Sequence, residues 1–199
     1  MSSSIGHQIK NKVSKNDIYY TPLPVAKKMI EMCNITPDMK VLDCCLGGGV
    51  FYDNLPECKK EWCEIEKGKD FFNETEKYDL IIGNPPYSLW NDWLDKTMEL
   101  TDKFCYIMGI LNMTPQRLGR IIRNGYGITQ IELIKIDWWF SSSYLVVFEK
   151  NKPSIMTTNP LVYFCDICKT RCKRGLKGYD VNKCYFVEKP IKEKKEKKK

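Results

Sequence analysis

The chain has 199 residues, enough for one compact α/β domain with a small appendage, and a core of that size needs no disulfide staples. Its hydrophobic fraction of 43% is that of an ordinary globular protein, and the lack of any apolar run of about 18 residues argues against a membrane span. Charge is uneven: residues 1–150 carry 18 Lys/Arg and 20 Asp/Glu, whereas 151–199 carry 14 basic and 5 acidic residues, so the formal +7 belongs to the last quarter.

The opening residues, MSSSIGHQIKNKVSKN, lack an apolar stretch and read as a flexible polar arm (1–16) rather than a secretory leader. An intracellular protein, cytoplasmic or nuclear, is expected. Ten cysteines without such a leader argue against a disulfide framework. Six of them (Cys33, Cys44, Cys45, Cys58, Cys63, Cys105) stand in apolar contexts as small buried groups. His7 is the only histidine and sits in the arm, so histidine-based catalysis or metal binding finds no support.

Apolar periodicity predicts a helix over 22–33, then a buried strand over 41–45 that runs into Gly47-Gly48-Gly49. A short helix over 50–55 and a strand over 61–65 follow. YDLIIGN (78–84) is the clearest strand, and 89–101 is helical in pattern. FCYIMGIL (104–111) reads as a strand, and 114–125 as a helix with Thr114 as N-cap and Pro115 at its first position. QIELIKI (130–136) and YLVVFEK (144–150) form a terminal strand pair. Strands alternating with helices imply an α/β fold, a mostly parallel doubly wound sheet with a terminal antiparallel strand. The polar stretch 151–160 marks the start of a small module (151–187), followed by a lysine-rich tail (188–199).

Two loops carry chemistry. Glycines after Asp43 let backbone approach a ligand closely and permit positive φ, although many strand-to-helix turns carry glycine for packing alone. Asn84-Pro85-Pro86-Tyr87 ends the third strand. An aryl-type amine is a poor nucleophile because its lone pair is delocalised into the ring. Two acceptors for its N–H groups favour a tetrahedral nitrogen and aim the lone pair outward. The Asn84 side-chain carbonyl and the Pro85 main-chain carbonyl, followed by a residue with no N–H, suit this task. Tyr87 offers a face for an extruded base.

These segments resemble the amino-methyltransferases of DNA adenine, whose fold is Rossmann-like, over residues 17–150. Asn84-Pro85-Pro86-Tyr87 is identical to the family's catalytic motif IV. Asp43-x3-Gly47-x-Gly49-x-Phe51 resembles motif I, and Asp17-Ile18-Tyr19-Tyr20-Thr21-Pro22 is similar to motif X. The resemblance implies S-adenosylmethionine as cofactor, held by Tyr20, Thr21, Pro22, Asp43, Gly47, Gly49, Phe51 and Asn84. It adds Glu64 for the ribose hydroxyls and Asp70 for the cofactor's adenine amine. It implies site-specific methylation of adenine N6, with DNA favoured over RNA as partner. Cys44 stands where proline is commoner, and the linker from motif I to Glu64 is short. No large recognition domain follows, so a homodimer or a separate specificity subunit is expected. Trp138-Trp139-Phe140 lies where motif VIII lends an aromatic to the base pocket, and equally reads as a hydrophobic corner.

Three alternatives stay open: an RNA adenine-N6 methyltransferase, a release-factor glutamine methyltransferase using the same Asn-Pro-Pro-Tyr, and a non-catalytic nucleic-acid-binding partner subunit. Near the C-terminus, Cys165-x2-Cys168-x3-Cys172-x11-Cys184 suits either a structural zinc or four free thiols. Lys169, Arg171, Lys173, Arg174 and Lys177 stud that segment as candidate phosphate contacts, while the terminal lysine run reads either as such a contact or as a solvated tail.

Overall fold

The computed structural model describes residues 19–139, 141–156, 161–165 and 184–188. The chain divides into two units, 1–157 and 158–199.

In the first unit, helix α1 (Leu23–Cys33) starts behind Pro22, with a second proline in its first turn, and stops at Asn34, whose φ of 50° breaks the helical path. Its buried residues Ala26, Met29, Met32 and Cys33 recur at helical spacing. Strand β1 (Lys40–Asp43) lies between β2 (Lys59–Trp62) and β3 (Leu80–Gly83), parallel to both. Helix α2 (Trp90–Leu100) buries Trp90, Trp93, Leu94, Thr97 and Leu100. Strand β4 (Lys103–Gly109) pairs parallel with β3, helix α3 (Pro115–Arg123) follows, and β5 (Tyr126–Ile134) and β6 (Ser143–Lys150) complete the sheet.

The order is β2-β1-β3-β4-β6-β5. Strand β6 is antiparallel to both β4 and β5, and lies between them rather than at the sheet edge. The mostly parallel, doubly wound α/β sheet therefore stands as expected from the sequence. Alternate strand residues feed two cores, as a period of two requires. Leu42, Ile81, Phe104, Tyr106 and Phe148 join α2 and α3 on one face; Val41, Leu80, Ile82, Cys105 and Val147 join α1 on the other. Strands covered on both faces read as continuous apolar runs, which is why 80–83 and 104–109 were legible.

Three boundaries differ from the sequence reading. The helix expected over 50–55 is one 3-10 turn, Tyr52–Asn54, because Gly49 and Pro56 leave no length to propagate a helix. The strand expected over 61–65 is Lys59–Trp62, and Glu64 lies beyond its end. The strand expected over 104–111 stops at Gly109, after which residues Ile110–Asn112 turn.

Sheet order reverses at β1, which sends the chain outward to β2 and then back to β3 on its other side. Ligand crevices of such sheets open at that reversal, beyond the carboxyl ends of the strands. Both chemistry-bearing loops leave there.

In the second unit, β7 (Leu161–Cys165) and β8 (Cys184–Glu188) form an antiparallel pair in which Cys165 and Cys184 are register partners. Cys168, Cys172, Lys169, Arg171, Lys173, Arg174 and Lys177 lie outside the described residues, as do the 1–16 arm, most of the 188–199 tail, Asp17, Ile18 and Phe140. Among the described residues no helix is long and apolar enough to cross a membrane.

Candidate active site

The glycine turn after β1 is built around Asp43, which has no exposed surface. Its Oδ2 accepts from Tyr52 N at 3.2 Å, and its Oδ1 from Cys45 N at 3.4 Å. Burial pushes the Asp43 carboxyl up to about 7, against the pull of those two N–H donors. Gly47 and Gly49 take φ of +50° and +83°, and a Cβ on Gly49 would lie 2.8 Å from Asp53 Oδ2. Glycine is required at 49 on both counts.

Two residues expected at the cofactor are also built into the scaffold. Both Asp43 oxygens face the loop's own N–H groups, so Asp43 shapes the turn from beneath. Phe51 is 2% exposed and packs into the α1-side core. Its side chain follows the apolar burial that any aromatic seeks.

Glu64 Oε2 accepts from Gly47 N at 2.8 Å, which brings the acid after β2 against the glycine turn. Asp70 Oδ1 accepts from Phe72 N at 3.0 Å, and its Oδ2 is buried with no hydrogen-bond partner among the described residues. A buried acceptor left this way costs roughly 1–3 kcal/mol unless a ligand donor reaches it.

The Asn84 turn lies beside the glycine turn. Cys44 N donates to Ile82 O at 3.1 Å, and a Cβ on Gly83 would lie 2.8 Å from Cys44 Sγ and 3.1 Å from Cys45 Sγ. No side chain at 83 could stand between the two loops. Asn84 Nδ2 donates to Tyr19 O at 2.9 Å, which turns Oδ1 away from Tyr19 as the remaining acceptor. The turn's own amide bond, Leu89 N to Pro86 O at 3.2 Å, closes past Pro85.

Residues 19–22 tie both loops together. The Tyr19 carbonyl holds Asn84, while the Tyr20 ring covers the glycine turn, with Cδ1 3.6 Å from where a Gly48 Cβ would be. Thr21 and Pro22 then lead into α1.

On the other side of Tyr19 lies a cavity of about 140 Å³, lined by Tyr19, Tyr87, Gly109, Leu111, Asn112 and Trp139 among others. That volume suits a small planar ring. Tyr19 meets Trp139 edge-on at 5.7 Å, and Tyr87 meets Trp90 at 5.9 Å. Trp139 is 5% exposed and Trp138 is 72% exposed, so of these two described members of the aromatic corner Trp139 lines the cavity.

Gly109, Leu111 and Asn112 carry no motif in the sequence; their signal is the end of β4 and the turn after it, and a strand expected over 104–111 hides Leu111. Tyr19 falls in the motif X segment, but no local pattern marks it as a cavity wall.

Two of the cysteines near these loops, Cys45 and Cys63, are disfavoured as thiolates. A hydrogen bond with Cys44, together with burial, pushes the Cys45 thiol well up, and burial takes Cys63 to about 12. Among the described residues no group of three or more His, Cys, Asp or Glu side chains is placed to hold a metal ion.

The sequence matches no family model, and no curated protein matches it. Solved structures do share its fold. PH1948 of Pyrococcus horikoshii, a proposed RNA methyltransferase, is similar with a TM-score of 0.53 and 18% identity, over 75% of this chain and 99% of that one. The 23S rRNA methyltransferase ErmE is similar at 0.52 and 13% identity, over 70% of this chain and 72% of that one. Trm5 of Methanocaldococcus jannaschii, solved with adenosine, gives 0.53 and 13% identity over 68% of this chain and 51% of that one. The chain has the Rossmann-like methyltransferase fold.

Proposed function

We propose that this protein transfers a methyl group from S-adenosylmethionine to the N6 amine of adenine in nucleic acid. The observation that carries this reading is the Asn84 carboxamide, pinned by the carbonyl of Tyr19, a residue that lines the aromatic cavity and precedes the Tyr20 ring over the glycine turn.

The residues beside the glycine turn fit the cofactor. Gly47 and Gly49 give the loop the positive φ that brings its backbone to the cofactor, Tyr20 covers it, Glu64 faces its ribose, and Asp70 offers a buried oxygen in want of a donor. Once bound, S-adenosylmethionine supplies an electrophilic methyl group on a sulfonium. The protein's part is orientation. Asn84 Oδ1 and the Pro85 carbonyl accept the two N–H bonds of the base amine, and this draws the nitrogen toward a tetrahedral shape. Pro86 keeps the Pro85 carbonyl free of an adjacent N–H and fixes the turn. Tyr87 stacks on the base. Placing the amine correctly lowers the barrier without a covalent enzyme intermediate, which agrees with Cys45 and Cys63 being disfavoured as thiolates.

The resemblance over residues 17–150 favours DNA. RNA is the second reading, favoured by the substrates named for ErmE and PH1948. A cavity walled by Tyr19, Tyr87 and Trp139 suits a nucleobase better than a glutamine side chain. Zinc on Cys165, Cys168, Cys172 and Cys184, with Lys169, Arg171, Lys173, Arg174 and Lys177 gripping phosphates, would give the second unit a clamp. The backbone pairing of Cys165 with Cys184 supports such a site.

Asn84→Ala and Tyr87→Ala test the roles. Each is expected to lower methyl transfer on the order of 100-fold or more, with cofactor affinity by calorimetry nearly unchanged. Full activity in either variant contradicts the assignment.

A further inference from the structure

Asn112 lines the same cavity from the opposite neighbour, the turn beyond β4. Its Oδ1 accepts from the Arg117 guanidinium on the first turns of α3. Arginine can only donate, so this contact fixes which way the carboxamide faces. Oxygen points to Arg117, and Nδ2 is the group left for a ligand. Nδ2 makes no hydrogen bond among the described residues. It converges with Tyr87 over Gly109, where a Cβ would lie 3.4 Å from Asn112 Nδ2 and 3.4 Å from Tyr87 Cε2. The absent side chain at 109 is what opens the cavity floor beside Tyr87.

Two carboxamides are therefore locked in opposite senses, Asn112 in the cavity and Asn84 against the backbone of Tyr19, which lines it. Asn84 spends its amide on Tyr19 and shows an oxygen; Asn112 spends its oxygen on Arg117 and shows an amide. We infer that Asn112 reads the target base, donating from Nδ2 to the ring nitrogen next to the exocyclic amine on its Watson–Crick edge. Adenine offers N6–H as donor and N1 as acceptor, and matches the pair. Cytosine, with its N4 amine and N3, has the same pattern. Guanine and uracil present the reverse, an oxygen beside an N–H, and meet oxygen with oxygen and N–H with N–H. Such mismatches of buried polar groups discriminate strongly. Arg117 is a positioning residue that acts through Asn112. The inference rests on the proposed function, since it supplies the second contact to the same base.

The test uses the full-length chain and pools of single-stranded oligonucleotides, as DNA and as RNA, with randomised flanks around one central adenine, 1-deazaadenine or 7-deazaadenine. Wild-type protein is expected to lose about 10- to 100-fold in kcat/KM on 1-deazaadenine and little on 7-deazaadenine, in keeping with one base-reading contact. Asn112→Asp keeps an oxygen for Arg117 but shows the cavity an acceptor. It is expected to lose a similar factor on adenine and almost nothing further on 1-deazaadenine. Arg117→Met frees the amide to rotate and should narrow the gap between adenine and 1-deazaadenine, which a merely structural loss would leave intact. Equal wild-type rates on adenine and 1-deazaadenine, or an Asn112→Asp variant as active as wild type on adenine, overturn the inference alone. A wild-type chain that methylates no adenine pool overturns the parent reading, and this inference falls with it.

Discussion

Asp43 holds the glycine turn at a cost set by pH. Its carboxyl titrates near 7 in the folded chain against a usual 3.8, because burial penalises the charge. Between those values the folded chain keeps a proton that the unfolded chain has lost, so this group's contribution to stability is greatest below pH 4 and falls as pH rises through 7. The Tm difference between Asp43→Asn and the wild type should accordingly grow in the variant's favour from pH 5 to pH 8. A difference that stays flat across that range contradicts the assignment. The position of the Asn84–Tyr87 turn at a strand end was legible from sequence, because the apolar run of 80–83 precedes it. At Asp43 and Phe51 burial adds scaffold contacts that the motif does not report, since a motif names residue types without saying which side of a turn they face. Tyr19 and its hold on Asn84 join positions 65 apart in sequence, and no local pattern reports that.

At the scale of elements, α3 links folding to the cavity. Thr114 Oγ1 accepts from Arg117 N at 3.3 Å, the N-cap expected from Thr114-Pro115, and the same Arg117 holds Asn112. Thr114→Ala should cost about 1 kcal/mol in denaturant unfolding. Unchanged stability would show that the cap carries no weight. The helices over 23–33 and 90–100 and the strands over 80–83 and 103–109 were legible because each buries a periodic or continuous apolar set. The 50–55 segment was not, because amphipathic spacing across six residues cannot tell a helix from a single turn. Strand order was legible only as a class: the insertion of β6 between β4 and β5 follows from long-range pairing that chain order does not encode.

For the whole molecule, the separation of charge matters most. A near-neutral first unit is followed by a strongly basic segment, and basic groups that displace phosphate counterions make binding salt-dependent. Replacing Lys169, Arg171, Lys173, Arg174 and Lys177 with Gln should flatten the slope of log affinity against log salt by about 4 if all five touch phosphates. An unchanged slope removes them from the interface. In the proposed reaction the loops at the reversal of the sheet aim a base amine at a methyl donor. This is tested most directly by incubating the full-length chain with isotope-labelled S-adenosylmethionine and DNA, RNA or release-factor protein, then digesting each and identifying the labelled product. Label recovered as N6-methyladenine nucleoside, and lost in Asn84→Ala, is the expected result. Label on glutamine, on another base, or on no substrate would contradict it.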